Sequence, residues 1–374
     1  MNINCPQPQL VNAVQKVYRA VASTTTLPAL TGILLEAKND TLTLHGTDLD
    51  LGIIHSFPVE VIEKGTLLLP ARIFTEMVRR LPPIPINIKS LDNNKVEISY
   101  HQSKIELNNI DPNQFPSLPN IEGSFSFEVE ANKLKDAIRK VSIATGSEDL
   151  QSVFNGILLE IEPEKNYFNL VATDTHRLAV YHNEPLSIAN EKPFNALIAN
   201  RAMNELARLL PNNDNKVNLT INSNQIYIQY ESTTLYARLM NGKFPHYRQV
   251  IPEKYNTSVK LPTRDLLDTA ERATLLAKDE IKTRSHIIFF EVGENKVKVT
   301  SEAAEVGNLE EELPANIEGE SLKLALNGRY LVETLRIIDD ENIDIKMIAP
   351  LKPIVVKPQD NDNYFCLILP VRVG

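Results

Sequence analysis

The side chains that could do chemistry are few and scattered. Seven histidines stand at positions 45, 55, 101, 176, 182, 246 and 286, and Asp174 with His176 forms the close acid–histidine pair near a candidate site. An acid can orient an imidazole for proton transfer, but no plausible nucleophile accompanies this pair. No HExxH, GxSxG or paired-histidine spacing occurs, so zinc hydrolysis and the nucleophile elbow lack their residues. The 13 glycines include no GxG, which leaves neither a dinucleotide fingerprint nor a Walker loop to cradle a phosphate. Cys5 and Cys366 lie at opposite ends without CxxC spacing, so a disulfide framework, a metal site and a redox motif are all unsupported. The expectation is a protein without catalytic residues, metal or cofactor.

What must then be explained is how the chain is organised. Its 374 residues exceed one ordinary core and suggest two to four domains, with three the natural number. Hydrophobic residues at 43% and charged residues at 23% match an average globular protein, and no run approaches the roughly 18 apolar residues that span a bilayer. The start, MNINCPQPQLVNAVQK, shows no basic region followed by an apolar stretch, so a cytoplasmic location is expected.

Self-comparison shows one unit written three times. NGILLE at 155–160 echoes TGILLE at 31–36, and HIIFFE at 286–291 takes the same role; each reads as a buried strand ending in Glu36, Glu160 or Glu291. FTEMVRRLP at 74–82, MNELARLLP at 203–211 and YLVETLRII at 330–338 share helical periodicity and align Glu76/Arg79, Glu205/Arg208 and Glu333/Arg336. Upstream, QLVNAVQKV, KLKDAIRKV and DLLDTAERA align Leu10, Leu134 and Leu266. These echoes keep one order at spacings of 124 to 132 residues. Each copy therefore reads as helix, strands, helix, strands, with Thr47–Asp48 and Thr173–Asp174 marking a turn in the first two. KVEISY at 95–100, QIYIQY at 225–230 and KVKVT at 296–300 supply later strands. NQFPSLP at 113–119 and GKFPHYRQVIP at 242–252 close the first two copies, which places domains at 1–122, 123–253 and 254–374. The fold class is α+β, with mostly antiparallel sheet and two helices per copy.

The net charge of −9 argues against a polyanionic partner until its distribution is counted. The six helical segments 7–22, 71–81, 132–144, 200–210, 263–278 and 327–338 carry +9 between them, so the remainder carries −18. Lys16, Lys140 and Arg272 are equivalent across the first helices, and Arg79, Arg208 and Arg336 across the second. If the copies are related by rotation, equivalent cations share one side and form a basic lining against an acidic exterior. The alternative is a set of solvated helix faces bearing i,i+3 Glu–Arg pairs. A basic lining would touch phosphates without reading bases. Six helices packed about 8 to 10 Å apart close a ring only about 18 Å across, too small for a duplex, whereas twelve leave a hole near 25 Å. Two chains would be needed.

The chain resembles the bacterial DNA polymerase III beta subunits, the sliding clamps, throughout its length. ATDTHRLAV at 172–180, NGKFPHYRQVIP at 241–252, LPARIFTEMVRRLP at 69–82 and LILPVRV at 367–373 carry the likeness. The resemblance implies three clamp domains forming half of a closed ring. It implies a head-to-tail homodimer around double-stranded DNA of any sequence, opened by an ATP-driven loader, which tethers the replicative polymerase for processive replication. The cations expected to face DNA are Lys16, Arg79, Arg80, Lys140, Arg201, Arg208, Arg272 and Arg336.

The resemblance also implies one cleft per chain, between the second and third domains, that takes a short hydrophobic motif from polymerase, loader and other partners. Carried over residue by residue, its members are Phe154, Thr173, Thr175, His176, Arg177, Leu178, Pro245, Val250, Asn327, Tyr330, Leu351, Leu367, Leu369, Pro370, Val371 and Arg372. Apolar side chains would make the pocket, and His176 and Arg177 would orient a peptide backbone or acidic group. THRL as a plain strand-turn and LILPV as a last core strand is the structural alternative. Departures are Thr175 where the family often has Gly, Gln249 where Arg is common, Thr24 and Gln151 at positions that are Arg in some relatives, and Ala202 at a Lys position. The joint between chains is placed at Ile105 of one copy against Leu275 and Leu276 of the other. Lys104 beside Ile105, and an acidic run including Glu302, Glu305 and Glu310, give that joint complementary charge.

Two other classes remain open: a repeat protein that only bridges proteins, and a phosphate-handling enzyme.

Overall fold

The computed structural model describes residues 1–92, 94–117, 125–146, 152–277, 286–303 and 307–373. Within them the repeat is complete. The first copy runs β1 (Asn2–Pro6), α1 (Gln7–Tyr18), β2 (Gly32–Lys38), β3 (Thr41–Thr47), β4 (Leu51–Pro58), β5 (Glu60–Glu63), β6 (Gly65–Pro70), α2 (Ala71–Arg80), β7 (Pro85–Leu91), β8 (Lys95–Tyr100) and β9 (Ser103–Asn108). The second runs β10 (Phe125–Glu130), α3 (Ala131–Ser142), β11 (Gly156–Glu162), β12 (Tyr167–Thr173), β13 (Arg177–Asn183), β14 (Ser187–Ile188), β15 (Phe194–Ala199), α4 (Asn200–Leu209), β16 (Lys216–Ile221), β17 (Gln225–Tyr230) and β18 (Thr233–Arg238). The third runs β19 (Thr257–Pro262), α5 (Thr263–Leu276), β20 (Ile287–Val292), β21 (Lys296–Ala303), β22 (Gly307–Pro314), β23 (Asn316–Gly319), β24 (Leu322–Asn327), α6 (Gly328–Arg336), β25 (Asn342–Met347), β26 (Ile354–Pro358) and β27 (Tyr364–Ile368).

Local chemistry explains the boundaries. In α2, Ala71, Phe74, Thr75 and Val78 are buried while the charged residues fall on the other face, the stripe that a 3.6-residue period produces. Pro82 and Pro211 follow α2 and α4 closely, where a proline disfavours helix in the residue before it. Asn39 and Asp40, both at positive φ, close the β2–β3 hairpin in the manner two-residue turns require. The helix α1 stops at Tyr18, short of residue 22 expected from its periodicity, because Ala20 and Val21 bond back to Val17 and Tyr18 in tighter turns.

The strands form four antiparallel sheets whose membership is the central fact of the fold. Copies do not keep their strands to themselves. One nine-stranded sheet runs β14-β10-β16-β17-β18-β4-β3-β2-β6, so five strands of the second copy join four of the first at β18·β4. The other runs β15-β11-β12-β13-β27-β26-β25-β19-β23, joining the second and third copies at β13·β27. The remaining sheets are a five-stranded β5-β1-β7-β8-β9 and a four-stranded β22-β21-β20-β24. Two compact units follow this sharing. One comprises Met1–Asn132, Leu186–Asn190 and Arg208–Leu239; the other comprises Lys133–Pro185, Glu191–Ala207 and Met240–Gly374. One expected equivalence is corrected by the pairing. KVKVT belongs to β21, the counterpart of β3 and β12, and the third-copy counterpart of β8 and β17 is β26.

Candidate functional site

The second joint, β13·β27, brings most of the expected cleft residues into one unit. Leu178 stands opposite Leu367 and Arg177 opposite Ile368, and Val355 pairs with Leu367 from the other side. Leu158, Val171, Leu178, Val180, Leu197, Phe244, Tyr247, Val355 and Leu367 make a buried apolar floor. Val250, Leu351 and Leu369 are exposed, at 52%, 59% and 38%, more apolar surface than a closed core leaves in water. Phe154, Tyr330, Asn327, Pro370 and Val371 are half-buried, and Thr175, Pro245 and Arg372 are exposed.

The walls are set by a small turn. Asp174 Oδ1 accepts from the backbone N–H of His176 and of Arg177, each at 2.9 Å, and Thr173 Oγ1 donates to the Arg177 carbonyl at 2.7 Å. Thr175 sits at φ +77°, a left-handed conformation that glycine adopts without strain. The tail is laid against this turn: Leu369 N–H donates to the His176 carbonyl and Val371 N–H to Ala325. Both bonds are backbone bonds, so the tail's course does not depend on which side chains it carries.

Arg177 is bonded within the chain. Its side chain is only 7% exposed; Nε donates to Asp174 at 2.9 Å, Nη1 to Glu333 at 2.6 Å, and the guanidinium lies 4.4 Å from the Tyr330 ring centroid. Burial works against its charge, and Asp174 and Glu333 more than offset that, so its pKa is raised. The residue ties the turn to α6, its Nε and Nη1 engaged by Asp174 and Glu333. His176, exposed and 6.3 Å from the Tyr330 ring, is a polar side chain the cleft can offer, with Thr175, Asn327 and Arg372.

The expected DNA-facing cations divide. Arg79 and Arg80 are exposed and share Glu76, at 3.0 and 3.3 Å; Arg201 and Arg208 are exposed; Arg336 is exposed and donates to Glu271 at 3.0 Å. Lys16 is half-buried, its pKa lowered by burial against the pull of Glu231. Arg272 is turned onto Glu311 of β22 through two hydrogen bonds of 2.7 and 2.6 Å. Lys140 is corrected outright: it is 6% exposed, paired with Asp136 at 2.8 Å, and lies over the Tyr181 and Tyr364 rings. Its ammonium can face the interior because the Asp136 carboxylate and the two ring faces offset the cost of desolvating it. The i,i+3 Glu–Arg pair also differs between copies, since Glu333 serves Arg177 and Arg329 and leaves Arg336 to α5.

Ile105 lies on the outer strand β9 and lines a groove of ≈720 Å³ with Ile73, Met77, Leu81 and Tyr100. Leu275, at the end of α5, is 72% exposed and Leu276 half-buried. Lys104 donates to Glu97 at 2.9 Å; Glu302 is exposed; Glu305 and Gln151 lie outside the described residues. Sequence reasoning missed Glu160, a buried carboxylate within the apolar strand β11, although an acid inside ILLEIE was a signal. Among the described residues no group of three or more His, Cys, Asp or Glu side chains could hold a metal, and no helix is long and apolar enough to cross a membrane.

Three family models match in chain order: the DNA polymerase III beta subunit N-terminal domain at residues 1–119, its central domain at 128–246 and its C-terminal domain at 248–372. A beta sliding clamp of Halalkalibacterium halodurans is 32% identical over 373 residues, covering 97% of each chain. The Bacillus subtilis DNA polymerase sliding clamp superposes with a TM-score of 0.95 at 26% identity, covering 100% of both chains. A Pseudomonas aeruginosa sliding clamp, solved bound to griselimycin, gives 0.94 at 26% identity and the same coverage.

Proposed function

This chain belongs to the bacterial DNA polymerase III beta subunits, the sliding clamps, and from that premise we propose that two copies close head to tail around duplex DNA. The observation that carries this is a strand count. Twice within the chain, a five-stranded half ending in the copy's ninth strand meets a four-stranded half ending in its fourth, making nine. The five-stranded sheet ending in β9 and the four-stranded sheet ending in β22 are the same two halves, left as open edges. An unpaired edge is a template for another strand. Joining β9 to β22 of a second copy repeats the internal joint, and doing so at both ends closes a pair.

Register follows from the internal joints. Leu235 pairs with Ile53 and Cys366 with Ala179; the equivalent residues are Ile105 and Leu309. Lys104 then falls opposite Glu310. Beside this ladder, Leu275 is placed to enter the groove around Ile105, an apolar anchor in an apolar pocket.

In the closed pair twelve helices line the hole, and Arg79, Arg80, Arg201, Arg208 and Arg336 supply phosphate contacts without base readout. Lys16 contributes partly, Arg272 only after leaving Glu311, and Lys140 not at all. The repeats 1–122, 123–253 and 254–374 are the domains of this ring, which has a cytoplasmic role without catalysis or cofactor. The cleft around Leu178 and Leu367 takes hydrophobic peptide motifs from polymerase, loader and other partners, and we assign griselimycin, bound by the Pseudomonas clamp, as its probe.

Sizing tests the joint. The wild type is expected to elute as a dimer, and Leu275→Asp with Leu276→Asp as a monomer; a dimer that survives both changes would move the joint elsewhere. Lys104→Glu is expected to weaken the dimer and Glu310→Lys to restore it, and failure of that restoration would contradict the register. Deleting residues 370–374 is expected to abolish griselimycin binding with the dimer intact, and undiminished binding would remove the cleft.

A further inference from the structure

One polar cluster outside the walls described above bears on the cleft. Pro245 and Val250 belong to the segment that follows β18, which packs Phe244, Tyr247 and Ile251 into the apolar floor and whose one-turn helix Tyr247–Val250 is held by short-range bonds such as Gln249 N–H to the His246 carbonyl. Such a turn is too short to hold itself rigid in water. Three hydrogen bonds run from it to a single carboxylate in the sheet. Tyr247 Oη donates to Glu160 Oε2 at 2.5 Å, and Arg248 donates through Nη1 and Nη2 to Oε1 and Oε2 at 3.1 and 2.9 Å. Glu160 itself is 5% exposed, between Asn169 and Asn195 of the neighbouring strands.

The pair joins a buried carboxylate to a guanidinium whose side chain is 54% exposed, so it adds little net stability, while its two-point geometry is demanding. The phenol stays a donor, its pKa raised by burial and by the Glu160 carboxylate. The other copies show what the position does without this partner. Glu36 is half-buried and Leu118 stands in sequence where Tyr247 would; Glu291 is exposed and pairs with Lys323 at 3.3 Å.

We propose that Glu160 is a positioning residue of the partner cleft, fixing through Tyr247 and Arg248 the turn that presents Pro245 and Val250 to a bound peptide. This rests on the cleft assigned above and deepens it. Glutamine at 160 keeps the volume but loses the charge and one acceptor, so Arg248 is left incompletely paired.

The test is a double-mutant cycle read as griselimycin affinity at a temperature well below unfolding. Glu160→Gln and, more mildly, Tyr247→Phe are expected to weaken binding, the first by about tenfold. Val250→Ala is expected to cost several-fold in the wild type and almost nothing in the Glu160→Gln background, because the turn is already displaced. Full additivity, or unchanged affinity with only a lower melting temperature, would make Glu160 a stability residue and overturn the proposal. Retention on circular DNA is expected to be unaffected by either change. A wild type that does not bind griselimycin removes the cleft assignment and this inference with it, whereas a wild type that binds and variants that bind equally remove the inference alone.

Discussion

The two internal joints use one backbone plan and differ in what fills it. At the first, Asp48 Oδ1 accepts from Asp50 N–H and Leu51 N–H while Thr47 Oγ1 donates to the Leu51 carbonyl, and Leu49 stands at φ +81°. At the second, Asp174, Thr173 and Thr175 repeat every one of those features. Strand register is also the same, with Gly52 opposite Tyr236 where the second joint has Leu178 opposite Leu367. There the likeness stops. Tyr236 lies across Gly52 so closely that a Cβ there would fall 2.0 Å from its Cζ, and its hydroxyl reaches within 2.7 Å of His45 Nε2. The place that Leu178 and Leu367 take at the second joint is thus filled at the first by the Tyr236 ring lying over Gly52. Leu51 replaces Arg177, and in place of a buried pair the turn has an exposed one, Asp50 with Arg238 at 3.7 Å. One joint is filled by an aromatic ring; the other is braced by the buried charge of Arg177.

Acid should separate them most strongly. Burial lowers His45 and His55 from 6.5 to about 4, and His55 is further lowered by Lys16 against the opposing pull of Glu231. Both are neutral in the fold, so above pH 6.5 they titrate in neither state. Below it the unfolded chain binds protons that the folded one refuses, and stability falls with pH between 6.5 and about 4. The loss is on the order of 3 kcal/mol per histidine at the lower end. Unfolding followed by probes in each compact unit should show the Met1–Asn132 unit yielding first, and equal acid sensitivity would mean the histidines do not set the difference.

Arg177→Leu gives the second joint the residue of the first. It leaves Asp174 without its cation and Glu333 with Arg329 alone, and should cost about 4 kcal/mol in denaturant unfolding; a neutral result would show that the brace is dispensable. Gly52→Ala forces Tyr236 aside and should cost about 2 kcal/mol, with Tyr236→Leu in the same chain recovering most of it. No recovery would mean that the ring is not what fills the groove. Smallest is Tyr236→Phe, expected to lose about 1 kcal/mol with the hydroxyl and to leave griselimycin binding at the other joint unchanged.

Much of this plan was legible in the chain. The ILLE strands, the paired helices and the Thr–Asp turns gave the repeat, since alternation, 3.6-residue periodicity and turn chemistry are local. The sharing of sheets between copies was not legible, because an edge strand's partner is set by shape complementarity over long sequence distances. Lys140 read as a surface cation because the rings that cover it, Tyr181 and Tyr364, lie far along the chain. Arg177 read as a ligand for the same reason, its partner Glu333 being 156 residues away. Third-copy strands were mismatched at KVKVT because alternation alone does not say which neighbour a strand has.

The central claim is that β9 and β22 complete a third nine-stranded sheet, twice, around DNA. Retention of the assembled protein on nicked circular duplex, followed before and after a single linearising cut, tests it most directly. Release on cutting, with stable retention on the uncut circle and none for Leu275→Asp/Leu276→Asp, is the predicted result. Equal loss from circular and linear DNA would contradict a closed ring.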